Sequence, residues 1–333
     1  MTDELTVQGS QSGTRSELGS RFGARLRTLA GNYGVAILLI ALFIVAAIYA
    51  PRFFTETAIR NTSRQAGILG VVAIGQVLVL VVRCVDLSVS AVIGFTVVLV
   101  ADGGPGLVPG ILWSVGIALA VGLVNGWLVT KRHVPPFVAT FGMLVLLGGA
   151  RFAYTKGSTS GRVSPTLIDF ARWSVGPVSV PVVIWVALTV VASVFMTKSL
   201  TGRRMMVAGA NEDMSRLSGL AVDAYKRWAF VLCSLLAVVA GVLLAGSTGY
   251  VDRFVGQNTE LDSITAALLG GASFAGGEGS FLGAGIGSML LASLFTLIVL
   301  LGWNPELQLV AKGVVLVGAL SAQGLIRRGR SMN

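Results

Sequence analysis

Charged residues are scarce in this chain of 333 residues, since Asp, Glu, Lys and Arg together make up only 12% of it. A soluble domain carries about 25% charged residues, so the chain lacks the polar surface that a water-soluble globule of this size needs. Histidine is nearly absent as well, because His133 is the sole one. This excludes a metal site built from several histidines, and we expect His133 to be solvated in the polar turn that begins at Lys131.

Cysteine is equally rare. Cys84 and Cys233 lie in or beside apolar runs, so we expect neither a disulfide nor a metal site. No stretch matches the GxxxxGK[ST] pattern of a phosphate-binding loop, and no Ser/His/Asp set or carboxylate cluster stands where it would serve catalysis. We therefore expect no catalytic residue, no bound cofactor and no enzymatic activity in this chain.

Apolar residues, in contrast, make up 54% of the chain, and the mean hydropathy is +0.82. Apolar runs of about 17–25 residues can cross the bilayer core of about 30 Å as helices. Ten segments can be drawn, roughly at 34–50, 66–82, 87–101, 107–130, 137–154, 178–197, 228–249, 263–275, 281–302 and 307–326. We predict an all-α fold, a polytopic membrane helical bundle with about ten transmembrane segments. The third and eighth segments are short, and we interpret them as half-helices or as helices buried away from lipid.

The charge distribution predicts the boundaries and the orientation. Residues 1–33 form a polar N-terminal arm, 34–326 the transmembrane domain, and 327–333 a basic tail. With both termini in the cytoplasm, the cytoplasmic pieces hold 16 Lys and Arg and the external pieces hold 7, as the positive-inside rule requires. The basic residues form no single patch, so nucleic acid is not expected as a partner. The first apolar run is interpreted as a retained span rather than a signal peptide.

One long polar interruption stands out in the second half of the chain. Residues 198–227 hold six Lys or Arg and three Asp or Glu between two apolar runs of membrane length. Such a segment must lie in water, and its charge favours the cytoplasm. It is either a plain connector or, as its alternating apolar and charged residues indicate, a small folded element that a soluble partner grips.

Few ionisable residues fall at membrane depth: Arg83, Asp86, Arg151 and Lys312. Ion-coupled transport usually needs such residues in the bundle, and four scattered charges make a thin proton relay. We expect Asp86 to cap the helix after it, with direct substrate contact as the alternative, and an ion pair between Arg83 and Asp86 is possible. The energy for any transport should therefore come from elsewhere.

Four stretches now resemble one family, the integral-membrane permeases of bacterial ABC importers for ribose and similar sugars. VDLSVSAVIG (85–94) resembles their GGIDLSVG element, and GLVNGWLVTKRHVPPFVATFGML (122–144) resembles GxxNGxLVxxxxxPPFIxTLGxM. GRRMMVAGANEDMSRLSGLAV (202–222) and LDSITAALLGGASFAGGEGSFLGAGIG (261–287) resemble two further family motifs. The four motifs stand in the family's order over about residues 34–326.

The resemblance implies a multi-pass permease subunit of the bacterial cytoplasmic membrane that has no ATPase activity of its own. Its expected partners are cytoplasmic ABC ATPase subunits that use ATP, an extracytoplasmic solute-binding protein, a second permease copy or paralogue, and the lipid bilayer. The segment 198–227 matches the loop that docks on the ATPase, through Gly202, Arg203, Gly209, Asn211, Glu212, Arg216, Leu217 and Gly219. Candidates for the substrate pathway are Asp86, Ser88, Asn125 and Thr140, with an interhelical hydrogen bond as the alternative role of Asn125.

The chain also departs from the family pattern. Arg83 and Cys84 replace the two glycines that precede the Asp-Leu-Ser element, and Ser90 replaces a glycine after it. Because glycine permits close backbone approach, we expect the local turn to differ.

Other functions stay open at this point. One is a self-sufficient secondary transporter or channel, and another is an ABC permease for nucleosides or autoinducers. A third is a structural membrane protein, against which the broken segments argue. Which sugar is carried does not follow from the sequence.

Overall fold

The computed structural model describes residues 34–102, 104–157, 161–252, 254–304 and 306–331, with the backbone alone at 319–320 and 322–331. The expected N-terminal arm, 1–33, lies outside the described residues, as do the last two residues of the expected tail. Within the described ranges the helices are α1 (Gly34–Tyr49), α2 (Glu56–Val81), α3 (Val89–Val100), α4 (Leu107–Lys131), α5 (Pro136–Tyr154), α6 (Pro165–Arg172), α7 (Val180–Lys198), α8 (Leu200–Ala210), α9 (Glu212–Leu217), α10 (Val222–Thr248), α11 (Thr259–Leu269), α12 (Phe281–Leu300) and α13 (Glu306–Ser331).

Each of the ten predicted apolar segments contains a helix, which agrees with a helical membrane bundle. Among the described residues, six helices are long and apolar enough to cross a membrane: α2, α4, α5, α7, α10 and α12. The apolar helices α1 and α3 are shorter, so the count of about ten spans is not confirmed. The helix α13 continues to Ser331, past residue 326, where the transmembrane domain was expected to end.

The core of the bundle is α2. Its most apolar 18-residue window is 89% buried, since α7, α10, α11 and α12 all pack against it. The helix begins ten residues before the predicted segment, because the Thr55 hydroxyl caps it by accepting a hydrogen bond from the Ala58 amide at 3.4 Å. The peripheral helices α5 and α7 are only 17% buried in their corresponding windows, so their apolar side chains are left to face lipid.

The buried helices α3 and α11 are too short to cross the membrane alone. The 12 residues of α3 extend about 18 Å at a rise of about 1.5 Å each, against a bilayer core of about 30 Å. The 11 residues of α11 reach less far. Every residue of α3 except Phe95 is buried, and residues 263–268 of α11 are buried as well. Both the third and the eighth segment thus form short helices that the bundle buries, as one of the two interpretations expected.

A small antiparallel hairpin departs from an all-α fold, together with isolated bridges such as that between Ala101 and Val163. Its strands are β1 (Ser174–Val175) and β2 (Val178–Ser179), with Ser174 opposite Ser179 and Val175 opposite Val178. It follows α6, which packs on the end of α10. There the Arg172 guanidinium donates to the carbonyls of Ser247 and Thr248 at 3.1 and 2.9 Å, and so satisfies free carbonyls at the end of α10.

Candidate functional site

The segment 198–227, which we call the coupling segment, is folded. It contains α8 and α9 and passes into α10 at Val222. The Ser199 hydroxyl caps α8 by accepting from the Gly202 amide at 2.9 Å, and the Asn211 side chain caps α9 by accepting from the Met214 amide at 3.1 Å. Gly219 follows α9 in the left-handed region, at φ +77°. Several residues singled out by the family motif therefore begin or end these short helices.

Charged side chains hold α9 against the start of α10. Arg216 donates to Glu212 at 2.9 Å and to Asp223 at 2.5 Å, and Lys226 donates to Glu212 at 2.7 Å. Partial burial raises the pKa of Glu212, but the hydrogen bonds from Lys226 and Arg216 outweigh it, so that the pKa lies below its usual range. The bonds to Asp223 and then Glu212 raise the pKa of Arg216. We call Glu212, Arg216, Asp223 and Lys226 the charge clasp.

Apolar side chains of the coupling segment face outward. Leu217 is 83% exposed and Met214 is 60% exposed, and both belong to α9. Leu200 and Val207 of α8 are exposed to a similar degree as Met214. Large exposed apolar side chains on a segment this rich in charge are typical of an interaction surface.

The end of α8 packs directly on the bundle. A Cβ atom at Gly209 would collide with the carbonyl oxygen of Val81, the last residue of α2. The same carbonyl accepts a hydrogen bond from the Gly277 amide at 2.9 Å. Only glycine at position 209 allows this approach, so the loop 270–280, the end of α2 and the end of α8 meet backbone to backbone. We call this contact the junction.

Arg83 ties the junction together. Its Nε donates to the Ala275 carbonyl and its Nη2 to the Ala210 carbonyl, each at 2.7 Å. The backbone of Arg83 lies at φ +60°, the left-handed region that glycine favours. Arg83 therefore keeps a backbone conformation that glycine favours, and a difference between this turn and that of the relatives stays a prediction. The Arg83 guanidinium binds these two carbonyls. Among the described residues, the structure shows no ion pair between Arg83 and Asp86.

Three of the four candidate pathway residues, Asp86, Ser88 and Asn125, form one buried hydrogen-bond network, and the fourth, Thr140, bonds to backbone carbonyls. Asp86 Oδ1 accepts from the Ser88 amide at 2.9 Å and from the Ser88 hydroxyl at 2.5 Å. Asn125 of α4 donates to the Ser88 hydroxyl at 3.1 Å, which is the interhelical role considered for it. The Thr140 hydroxyl lies 2.9 Å from the Pro136 carbonyl of its own helix, α5, and 3.3 Å from the Val85 carbonyl. Each of these four side chains is fully buried, and their contact with substrate stays a prediction.

The expectation that Asp86 caps α3 was wrong. The cap position is Ser88, whose side chain makes no capping bond. Asp86 bonds to Ser88 itself and so shapes the turn before the helix. Sequence reasoning also missed Gln76 of α2, a fully buried residue whose amide donates to the Asp86 carbonyl at 2.6 Å. Its polar side chain within the apolar run 66–82 was the available signal.

Two cavities lie elsewhere in the part of the chain that the structure describes. One, of about 250 Å³, is lined by Arg151, Phe152, Asp252 and Gln257 among others. The second, of about 150 Å³, lies between α2, α3, α10, α11 and α12. No group of three or more His, Cys, Asp or Glu within the described ranges is placed to hold a metal ion.

Comparison with known proteins gives a consistent result. The family model described as "Branched-chain amino acid transport system / permease component" matches residues 58–320. The chain is 33% identical to the ribose import permease protein of Escherichia coli over 292 residues, which cover 85% of this chain and 91% of that protein. It is 32% identical to the ribose import permease protein of Bacillus subtilis over 287 residues, covering 85% of this chain and 89% of that one.

A relative with a different printed substrate is also similar. The chain is 29% identical to the autoinducer 2 import system permease protein of Yersinia pseudotuberculosis over 307 residues, covering 88% of this chain and 85% of that protein. No solved structure matches the chain.

Proposed function

Because the chain belongs to the family of importer permease components, in which the ribose-type permeases are its relatives, we propose that it carries a monosaccharide or similar small polar solute into the cell. The identity to two ribose permeases over most of the chain supports a sugar as the cargo. In this proposal ATP is hydrolysed by separate subunits on the cytoplasmic side. A solute-binding protein delivers the cargo from outside, and a second permease copy or a paralogue completes the pathway.

The observation that carries the mechanism is the coupling segment. We propose that α9 docks on the ATPase through Leu217 and Met214, whose exposed apolar side chains would fill a groove of that partner. The charge clasp fixes α9 to α10, so a force on α9 is passed to the bundle rather than absorbed by a loose loop. In this proposal both termini lie in the cytoplasm, which the charge count supports, and the coupling segment then lies on the side where ATP is available.

The junction then offers a route for motion. Two connections of the chain meet the end of α8 at the junction. One runs from the end of α2 to the start of α3, and the other is the loop 270–280, which joins α11 to α12. Arg83 bonds to Ala210 and Ala275 there. Displacement of α8 by the ATPase would therefore move the supports of both short helices together, which is the kind of rigid-body switch that alternating access requires.

The proposal is tested by purifying the tagged protein from its native membrane in mild detergent and identifying what co-purifies by mass spectrometry. We expect a stoichiometric ATPase with a phosphate-binding loop. Leu217→Asp should lower its recovery at least about fivefold, because loss of one apolar anchor costs more than about 1 kcal/mol. Leu217→Met is the matched control and should retain the ATPase.

Two results would contradict this proposal. One is a chain that purifies alone and still moves sugar into liposomes without ATP, which would make it a secondary transporter. Equal recovery of the ATPase with Leu217→Asp and with Leu217→Met would show that α9 is not the docking surface.

A further inference from the structure

The cavity between α2, α3, α10, α11 and α12 has the features of a binding site for a small solute. It measures about 150 Å³, and its polar lining residues are Gln65 of α2 with Thr259 and Asp262 of α11. The remainder of the wall is apolar: Ile68, Leu69, Ile93, Leu244, Ala292 and Phe295. A concave apolar wall with a few convergent polar groups is the common form of a small-molecule site.

The charge at this cavity is balanced. Lys312 of α13 donates to Asp262 Oδ2 at 2.8 Å, and the Lys312 ammonium lies 4.7 Å from the centre of the Phe295 ring. Because the ammonium compensates the carboxylate, the cavity suits a neutral polar solute rather than a free ion. The second carboxylate oxygen, Asp262 Oδ1, is buried and accepts no hydrogen bond from the described residues, so Asp262 keeps capacity for another donor.

The position of the cavity relates it to the moving parts. Thr259 and Asp262 lie in the first turn of the short helix α11, and Ile93 belongs to the short helix α3. Both interrupted helices therefore contribute to its wall, and solute sites of transporters lie typically where such helices meet. The supports of both helices meet at the junction, as described above, so movement of the coupling segment reaches this wall.

We propose that this cavity is the intramembrane binding site for a neutral polyhydroxylated solute of about one sugar ring. Hydroxyl groups donate to Asp262 and bond to Gln65 and Thr259, while an apolar face of the ring packs against Phe295. A volume well below the roughly 300 Å³ at which drug-sized pockets begin selects a single ring over an oligosaccharide. This inference rests on the proposed function, since it names the substrate contacts of the same permease.

The first test measures uptake by cells that carry the complete importer, with a panel of radiolabelled pentoses and hexoses. Gln65→Leu and Thr259→Val each remove one hydrogen bond to the solute, and we expect KM to rise roughly three- to tenfold for the transported sugar. Gln257 and Thr155 both line the other cavity, so Gln257→Leu and Thr155→Val are the matched controls and should leave KM unchanged. Recovery of the ATPase with each variant shows that the protein is folded and assembled.

The second test does not depend on turnover. Cys84 and Cys233 are both buried, so they give a low background for a thiol-specific maleimide. In a Thr259→Cys variant, the transported sugar should slow labelling of the new thiol, whereas labelling of Thr155→Cys should not change. Unaltered labelling at position 259 together with a normal KM for Gln65→Leu would overturn the proposal. If the unsubstituted importer took up no sugar in an ATP-dependent manner, the proposed function itself would fail, and this site with it.

Discussion

Arg83 offers a sharp test of the junction, because its backbone and its side chain make separable contributions. Replacing it with alanine removes two hydrogen bonds of 2.7 Å from a guanidinium to backbone carbonyls. Hydrogen bonds from charged groups contribute roughly 1.5–3 kcal/mol each when shielded. Arg83 is exposed, so water can replace part of that, and we expect Arg83→Ala to cost about 1–3 kcal/mol of junction stability.

Arg83→Gly separates the two contributions. It loses the same hydrogen bonds, but it relieves a backbone held at φ +60°, where a residue with a Cβ atom is less stable by about 1 kcal/mol. Arg83→Gly should therefore be more stable than Arg83→Ala by about 1 kcal/mol, although both lack the tie between Ala210 and Ala275.

The assay is thermal unfolding of the purified permease in detergent, combined with ATP hydrolysed per sugar molecule imported by the complete importer. We expect both variants to use more ATP per sugar, because α8 no longer moves the loop 270–280 through the guanidinium. Arg83→Lys, which keeps the charge but cannot bridge both carbonyls in the same fork, should be intermediate. The reasoning would be refuted if Arg83→Ala matched the unsubstituted protein in both measurements, or if glycine proved less stable than alanine at this position.

Two further predictions concern the coupling segment. Gly209→Ala places a Cβ atom on the Val81 carbonyl, so it should push α8 away and lower the free energy of unfolding by about 1–3 kcal/mol. Gly142→Ala, which has nothing near its Cβ position, is the control in the same unfolding assay. Because the folded pKa of Glu212 lies below its ordinary value of 4.5, the charge clasp is fully stabilising above that value and is lost as pH falls from there through the lower folded pKa. Amide hydrogen exchange of α9, corrected for intrinsic rates, should become faster over that acidic pH range. A rate that did not change with pH would contradict this prediction, as would an equal change in the Glu212→Gln variant.

The positions of the helices were predictable because apolar runs of membrane length have few alternatives to a helix in a bilayer. Their ends were less so. The hydropathy of 66–82 marks only the apolar part of α2, whereas Glu56 begins the helix because Thr55 caps it and because Arg60 lies within 3.8 Å of Glu56 one turn on. Polar residues can continue a helix beyond the membrane, and a hydropathy pattern does not register them.

The candidate site was predictable where it depends on local pattern. Charge and alternation marked 198–227 as more than a connector, and Asn211 and Gly219 stand where helices commonly begin and end. The contacts of Arg83 could not be predicted from the sequence. Its partners at Ala210 and Ala275 lie 127 and 192 residues away along the chain. They are also backbone carbonyls, which every residue has, so no residue type marks them. The Asp262 cavity was missed for the same reason, since its wall is assembled from five separate helices.

The burial of α2 bears on how the protein is made. This helix leaves the ribosome early, yet the helices that cover it, α7 and α10 to α12, are synthesised a hundred or more residues later. During that interval α2 must rest against lipid or against the insertion machinery, which its apolar composition allows, and it must afterwards be enclosed by helices from the second half. Folding thus depends on contacts that are distant in sequence and late in time. A chain interrupted after α5 would leave its central helix uncovered, which makes the first half a natural target for membrane quality control.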